Sequence, residues 1–193
     1  MSILYQYNVN NIMQLLEIKN LNSTLQNSII AVFRLSFSDA EGSKEGDTIA
    51  TFVEDLLSTT KQDESHVFIA QNDKEITGAI VFSKFKTENN TNAFILSPVA
   101  VVTKFQGQKI GQNLINFALE VLKNNGVEVA ITYGDPNFYS KVGFKQITED
   151  IIQAPLKLSF PIGWLAQSLT SNTLDVIPGK TACVPALNKQ ELW

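Results

Sequence analysis

Between Ala93 and Tyr133 the chain changes character in a way that leaves few folds open. AFILSPVAVV is a dense apolar run ending in β-branched residues and reads as a strand. TKFQGQKIGQ follows, with two glycines, no proline and no acidic residue. Ile110, Leu114, Phe117, Ala118, Val121 and Leu122 then recur at helical spacing, which predicts a helix from about Lys109 to Asn125 with Gly126 as its stop. VEVAITY is nearly all apolar, the pattern of a strand covered on both faces. Two strands joined through a helix pair in parallel. DPNFYSKV is predicted to form a short helix with Pro136 in its first turn, and GFKQI a further strand.

The first half reads differently. IMQLLEIK is a first strand. NSTLQNSIIAVFRLSF opens with cap-type residues and puts Leu25, Ile29, Val32, Phe33 and Phe37 near helical spacing. SDAEGSKEG is expected as a loop, and DTIATFVEDLL as a second helix with Ile49, Phe52, Val53, Leu56 and Leu57 on one side. HVFIAQ and EITGAIVFSKF are strands joined across the hairpin signal NDK, and TENNTN turns the chain into the next strand. The expected class is therefore mixed α/β, with an antiparallel first half and a parallel centre. A chain of 193 residues suits one domain. Residues 13–148 are expected to form its core and 149–193 an extension of strands and packed loop on the same domain.

Composition narrows the function. A net charge of −4 and a pI near 5.0 argue against nucleic acid or an anionic membrane as the main partner. Cys183 and His66 each stand alone, so no disulfide and no cysteine-based or paired-histidine metal site is expected. His66 reads as a strand-edge histidine. The first residues, MSILYQYNVNNIMQLLEIKN, lack an early basic cluster and make a poor signal peptide. No stretch approaches the roughly 20 apolar residues of a membrane span, so the expected location is the cytoplasm.

The turn before the central helix carries the chemistry. A helix N-terminus presents unpaired N–H groups and the positive end of the dipole, which suits an anion. Gly107 and Gly111 let backbone come close to a ligand, and Gln106 and Gln108 add neutral donors. Lys109 opposes the dipole by a few tenths to about 1 kcal/mol, a conflict that a bound phosphate relieves. The same residues also suit an ordinary tight strand–helix turn. No Gly-Lys-Ser/Thr makes this a Walker A loop, and no G-x-G-x-x-G makes it a dinucleotide fingerprint.

LSPVAVVTKFQGQKIGQNLI followed by GDPNFYSKVGF resembles the GNAT superfamily of acyl-CoA-dependent N-acyltransferases. The similarity is nearest to the YhbS-like predicted acetyltransferases, whose tail FPIGW and the terminal LW also resemble. The family loop, Gln/Arg-x-x-Gly-x-Gly/Ala, falls on Gln106, Lys109 and Gly111, with Lys109 replacing the first glycine. The aromatic-Tyr-x-x-x-Gly-Phe hallmark falls on Phe138, Tyr139, Gly143 and Phe144. The resemblance covers about Met13 to Thr148. It implies acetyl-CoA as co-substrate, with its pyrophosphate on Gln106, Gly107, Gln108, Lys109, Ile110, Gly111 and Gln112. It also implies that the backbone of Val99, Ala100 and Val101 pairs with the pantetheine arm and polarises the thioester.

Amine acylation by a thioester needs a neutral amine, oxyanion stabilisation and a proton for the leaving thiolate. The resemblance gives that last task to Tyr139 as general acid. Glu41 and Glu45 fall where this superfamily often builds its acceptor site, and Glu45 is the candidate base. Asp135 is expected to cap the short helix, and Cys183 to be buried and inert. The expected partner is a small-molecule or peptidyl amine, the protein itself being a monomer or homodimer. The alternative activity is a non-catalytic acyl-CoA-binding or sensor module.

Overall fold

The computed structural model describes residues 2–8 and 11–193, with side chains from residue 13 onward. Met1, Val9 and Asn10 of the stretch read as a poor signal peptide lie outside the described residues. The strands are β1 (Ser2–Asn8), β2 (Asn11–Ile18), β3 (Ser65–Asn72), β4 (Glu75–Thr87), β5 (Ala93–Val101), β6 (Val129–Tyr133), β7 (Lys145–Gln146), β8 (Trp164–Ser168) and β9 (Thr181–Ala182). The helices are α1 (Ser23–Glu41), α2 (Ser43–Thr59), α3 (Ile110–Asn124) and α4 (Pro136–Tyr139). Pairing runs β1-β2-β3-β4-β5-β6-β8-β7, with β9 on β4. The sheet is mixed as expected: β2 and β3 are antiparallel, β5 and β6 parallel.

The described chain gathers into two compact units, Met1–Val81 with Pro98–Ala118, and Phe82–Ser97 with Leu119–Trp193. β4, β5 and α3 each contribute to both. The tail beyond residue 148 belongs to the second unit together with Phe82–Ser97 and residues 119–148.

In the first unit, the β3–β4 hairpin turns on Asp73 and Lys74, both at positive φ (44° and 74°), the geometry of a two-residue turn that matches strand twist. α1 buries Ile29, Val32, Phe33 and Ser36; α2 buries Gly46, Ala50, Phe52, Val53 and Leu56. The loop expected over Ser38–Gly46 is not there. Both helices run up to Gly42 alone, whose φ of 97° and ψ of 162° reverse the chain in one residue. The close return is possible because Gly46 has no side chain: a Cβ there would sit 2.6 Å from the Arg34 carbonyl oxygen. Glu41 and Glu45 are consequently helix residues, not loop residues.

In the second unit, α3 ends as expected. Gly126 at φ 79° and the bond from Val127 N–H to the Leu122 carbonyl (3.0 Å) close a left-handed cap. β6 is buried from Val129 to Thr132. The strand expected from GFKQI shrinks to Lys145–Gln146 and does not reach β6, because β8 comes between them. β8 comes from the tail. Trp164 anchors it, fully buried with Nε1–H donating to the Ile152 carbonyl at 2.8 Å. The tail also delivers buried Trp193, which stacks on Tyr133 at 5.9 Å.

Candidate active site

In the first unit, β5 runs directly into the glycine-containing turn. Its register with β6 covers Ala93 to Leu96, so Val99, Ala100 and Val101 lie beyond that ladder. Pro98, which has no N–H to give to a ladder, stands where the pairing has ended. Val99 and Val101 are half-buried and Ala100 is buried. The Val101 carbonyl accepts from Ser36 Oγ at 3.0 Å and from Gln106 Nε2 at 2.9 Å. Gln106, expected as a phosphate donor, therefore also folds back to brace the strand end.

The next residues are held from several sides. Val102 N–H donates to the Thr77 carbonyl at 2.9 Å, and Thr103 Oγ1 donates to Asp39 Oδ2 at 2.6 Å. Lys104 pairs with Glu75 at 2.6 Å and lies 4.8 Å from the Phe105 ring centre. Gly78 on β4 matters here: a Cβ would come within 3.2 Å of the Ala100 carbonyl oxygen and 3.5 Å of Ile110 Cγ2. Without that side chain, α3 starts close against the sheet.

Gln106, Gly107, Gln108 and Lys109 are exposed, Gln112 is half-buried, and Ile110 and Gly111 are buried. Gly107 has φ 75° and Lys109 φ 61°. The left-handed backbone at Lys109 is one that glycine adopts more readily than a residue with a side chain. The Lys109 carbonyl takes the first helical bond, from Asn113 N–H at 2.9 Å. Ile110, Gly111 and Gln112 thus open the helix, where N–H groups have no partner within the helix. No acidic residue stands in that first turn. Such a terminus suits phosphate.

Glu45 lies elsewhere in the same unit, half-buried in the first turn of α2. An acid there complements the helix dipole, which accounts for its position without a catalytic role.

Tyr139 belongs to the second unit. Asp135 caps α4 as expected, its Oδ1 accepting from Asn137 N–H at 2.9 Å. The chain continues through a 3-10 turn to Gly143, which takes φ 91°, and Phe144 N–H returns to the Tyr139 carbonyl at 3.3 Å. The Tyr139 ring meets Phe138 and Phe144 edge-on, at 5.1 and 5.8 Å between centres. Gly134 makes room for it, since a Cβ there would lie 2.8 Å from Tyr139 Cε2. Burial pushes the phenol pKa up, and the nearby Asp135 charge adds to this; a hydrogen bond with Thr132 works the other way. The phenol remains a proton donor at neutral pH.

Cys183 is half-buried, less enclosed than expected, and burial raises its thiol pKa. A protonated thiol is a poor nucleophile. His66 lies on β3 with Nδ1 3.0 Å from Glu17 Oε1. The residues that sequence reasoning missed are Ser36, Asp39 and Thr132. Ser36 had a signal, as a polar residue in the apolar stripe Ile29, Val32, Phe33; Asp39 and Thr132 had none.

Residues 63–146 match the acetyltransferase (GNAT) domain family. That match spans less than half of the chain. Among curated proteins, YjhQ of Escherichia coli, an uncharacterized N-acetyltransferase, is 27% identical over 140 residues, spanning 69% of this chain and 75% of YjhQ. YhbS, an uncharacterized N-acetyltransferase of the same organism, is 29% identical over 72 residues, 37% of this chain and 43% of that protein. The crystal structure of YhbS in complex with CoA aligns with a TM-score of 0.70 at 23% identity, covering 91% of this chain and 92% of that one. A GNAT acetyltransferase of Brucella melitensis in complex with acetyl-CoA aligns at 0.62 and 20% identity, covering 90% and 98%. No helix among the described residues is long and apolar enough to cross a membrane.

Proposed function

We propose that this chain transfers an acetyl group from acetyl-CoA to a primary amine by direct attack in a ternary complex. One observation carries the reading: β5 leaves its pairing with β6 after Leu96 and then feeds an exposed, acid-free turn at the start of α3. A strand end beyond its ladder and a helix N-terminus in direct succession suit an amide-containing arm followed by a pyrophosphate. The family match and the CoA and acetyl-CoA held by the structural neighbours support the choice of ligand.

The roles follow from the chemistry. Residues Gln106–Gln112 hold phosphate oxygens by backbone N–H groups, and backbone at Val99–Val101 orients the thioester. The attacking nitrogen forms the new C–N bond as the C–S bond breaks, and Tyr139 gives its proton to the leaving thiolate. Glu45 or solvent takes the proton lost by nitrogen. The acceptor is a small-molecule or peptidyl amine, met in the cytoplasm. An amine-library screen for CoA release, with products confirmed by mass spectrometry, tests the proposal. Saturable acetyl-CoA binding with no release for any amine would favour a sensor instead.

A further inference from the structure

A hydroxyl on a helix commonly returns its proton to the carbonyl one turn back. Ser28, Thr48, Thr51, Ser58 and Thr59 on α1 and α2 all do so. Ser36 does not. It is buried, 7% exposed, and donates instead to the Val101 carbonyl at 3.0 Å, 65 residues further along the chain. The same oxygen accepts from Gln106 Nε2 at 2.9 Å. Two side chains thus fill both lone pairs of one carbonyl.

That carbonyl lies on the edge assigned to the ligand. Successive residues of an extended strand turn their N–H and C=O groups to opposite edges. Val102 N–H donates to the Thr77 carbonyl on β4 at 2.9 Å, so Val101 faces the other edge, the one β6 pairs with as far as Leu96. This strand end is anchored without Gln106. Ser36 holds Val101, Thr77 holds Val102, and Asp39 Oδ2, one turn along α1 from Ser36, accepts from Thr103 Oγ1 at 2.6 Å. Gln106 itself is exposed, in the turn assigned to the pyrophosphate. Of the two donors on Val101, one is fixed by a buried helix face and the other is able to leave.

We propose that Ser36 is a positioning residue for acetyl-CoA binding: it keeps the Val101 carbonyl satisfied while Gln106 transfers its side-chain amide from that carbonyl to the pyrophosphate. The inference rests on the Gln106–Gln112 turn being the pyrophosphate site. A hydrogen bond to an ionised oxygen is roughly twice as strong as one to a neutral oxygen. The transfer is therefore favourable as long as the carbonyl left behind keeps a donor. Without Ser36 it keeps none, and a covered carbonyl with no donor costs as much as the new bond gains. Gln106 then stays on Val101, and the phosphate loses a donor.

Calorimetric titration of acetyl-CoA into the parent, Ser36→Ala, Gln106→Ala and the double variant tests this. Alanine suits a helix interior at least as well as serine, so Ser36→Ala should fold. If it does not, Ser36→Cys, whose thiol is a weak donor, takes its place. Each single variant should bind about fivefold more weakly, the difference between hydrogen bonds to a charged and to a neutral acceptor. The double variant should bind no more weakly than either single one, because both changes remove the same transfer. A Ser36 that only shaped the strand end would instead give losses that multiply. In protein carrying ¹⁵N in its glutamine side chains, the amide resonances lost in Gln106→Ala should move when acetyl-CoA is added to the parent, and much less in Ser36→Ala. Unchanged affinity in Ser36→Ala, multiplied losses in the double variant, or Gln106 resonances that stay in place at saturation would overturn the role of Ser36 and leave the site assignment standing. A parent protein that binds no acetyl-CoA would overturn the site and this inference together.

Discussion

Replacing Lys109 with glycine should make the protein more stable, against the usual effect of adding a glycine. Lys109 has φ 61°, a conformation in which a Cβ crowds the following carbonyl. The left-handed region costs a residue with a side chain about 1–2 kcal/mol. Glycine escapes that cost but gains freedom in the unfolded chain, which costs about 0.4–1 kcal/mol. The difference favours Lys109→Gly by about 0.8 kcal/mol at the middle of these ranges, which span about 0–1.6 kcal/mol, a central rise of about 2–3 °C in Tm at this chain length. Gln108→Gly is the control, because Gln108 is not among the described residues at positive φ. It should lose stability by the same entropic effect, about 0.4–1 kcal/mol. Differential scanning calorimetry of both variants without ligand makes the comparison. A Lys109→Gly protein destabilised as much as Gln108→Gly would refute a strained left-handed Lys109. The same variant separates side chain from backbone in ligand binding: if backbone N–H groups carry the phosphate, acetyl-CoA affinity changes little when the ammonium is removed.

Gly46→Val should destabilise the α1–α2 hairpin by about 1–3 kcal/mol, because its Cβ would meet the Arg34 carbonyl; denaturant unfolding measures it. Burial works to raise the Glu17 pKa, but hydrogen bonds from Lys19 and His66, with their charges, leave it lowered from 4.5. The stability this carboxylate contributes is fully present above that unfolded value and is lost as pH falls through the lowered one. Glu17→Gln should therefore flatten the pH dependence of stability in that acid window, as read from urea midpoints. Tyr139→Phe should slow single-turnover acetyl transfer by about 10²-fold, the lower end for a general acid. Acetyl-CoA affinity and Tm should change little, since the ring contacts with Phe138 and Phe144 persist.

The elements near the turn were legible because their signals are local. Ile110 to Leu122 has helical spacing, Gly126 closes the helix, and Val129 to Thr132 is apolar throughout. Asp135 stands one residue before Pro136, a readable cap. The missing features depend on distant partners. Ser38–Gly46 looks like a loop by composition, yet Gly42 turns the chain alone because Gly46 lets α2 approach α1. WLAQS carries no sign that it enters the sheet between β6 and β7. Thr132 looks like one more β-branched strand residue. Its hydroxyl finds its partner, the Leu96 carbonyl, only where the β5–β6 pairing ends.

Calorimetric titration of acetyl-CoA into the parent protein and Gly111→Asp tests the central claim most directly. Gly111 is buried in the first turn of α3, where the substitution adds a side chain and a carboxylate to the place assigned to phosphate. The parent should bind acetyl-CoA. A Gly111→Asp protein shown to be folded by circular dichroism should bind at least tenfold more weakly, a loss of about 1.4 kcal/mol or more. Equal affinity in that folded variant would contradict the assignment of the Gln106–Gln112 turn as the acetyl-CoA site.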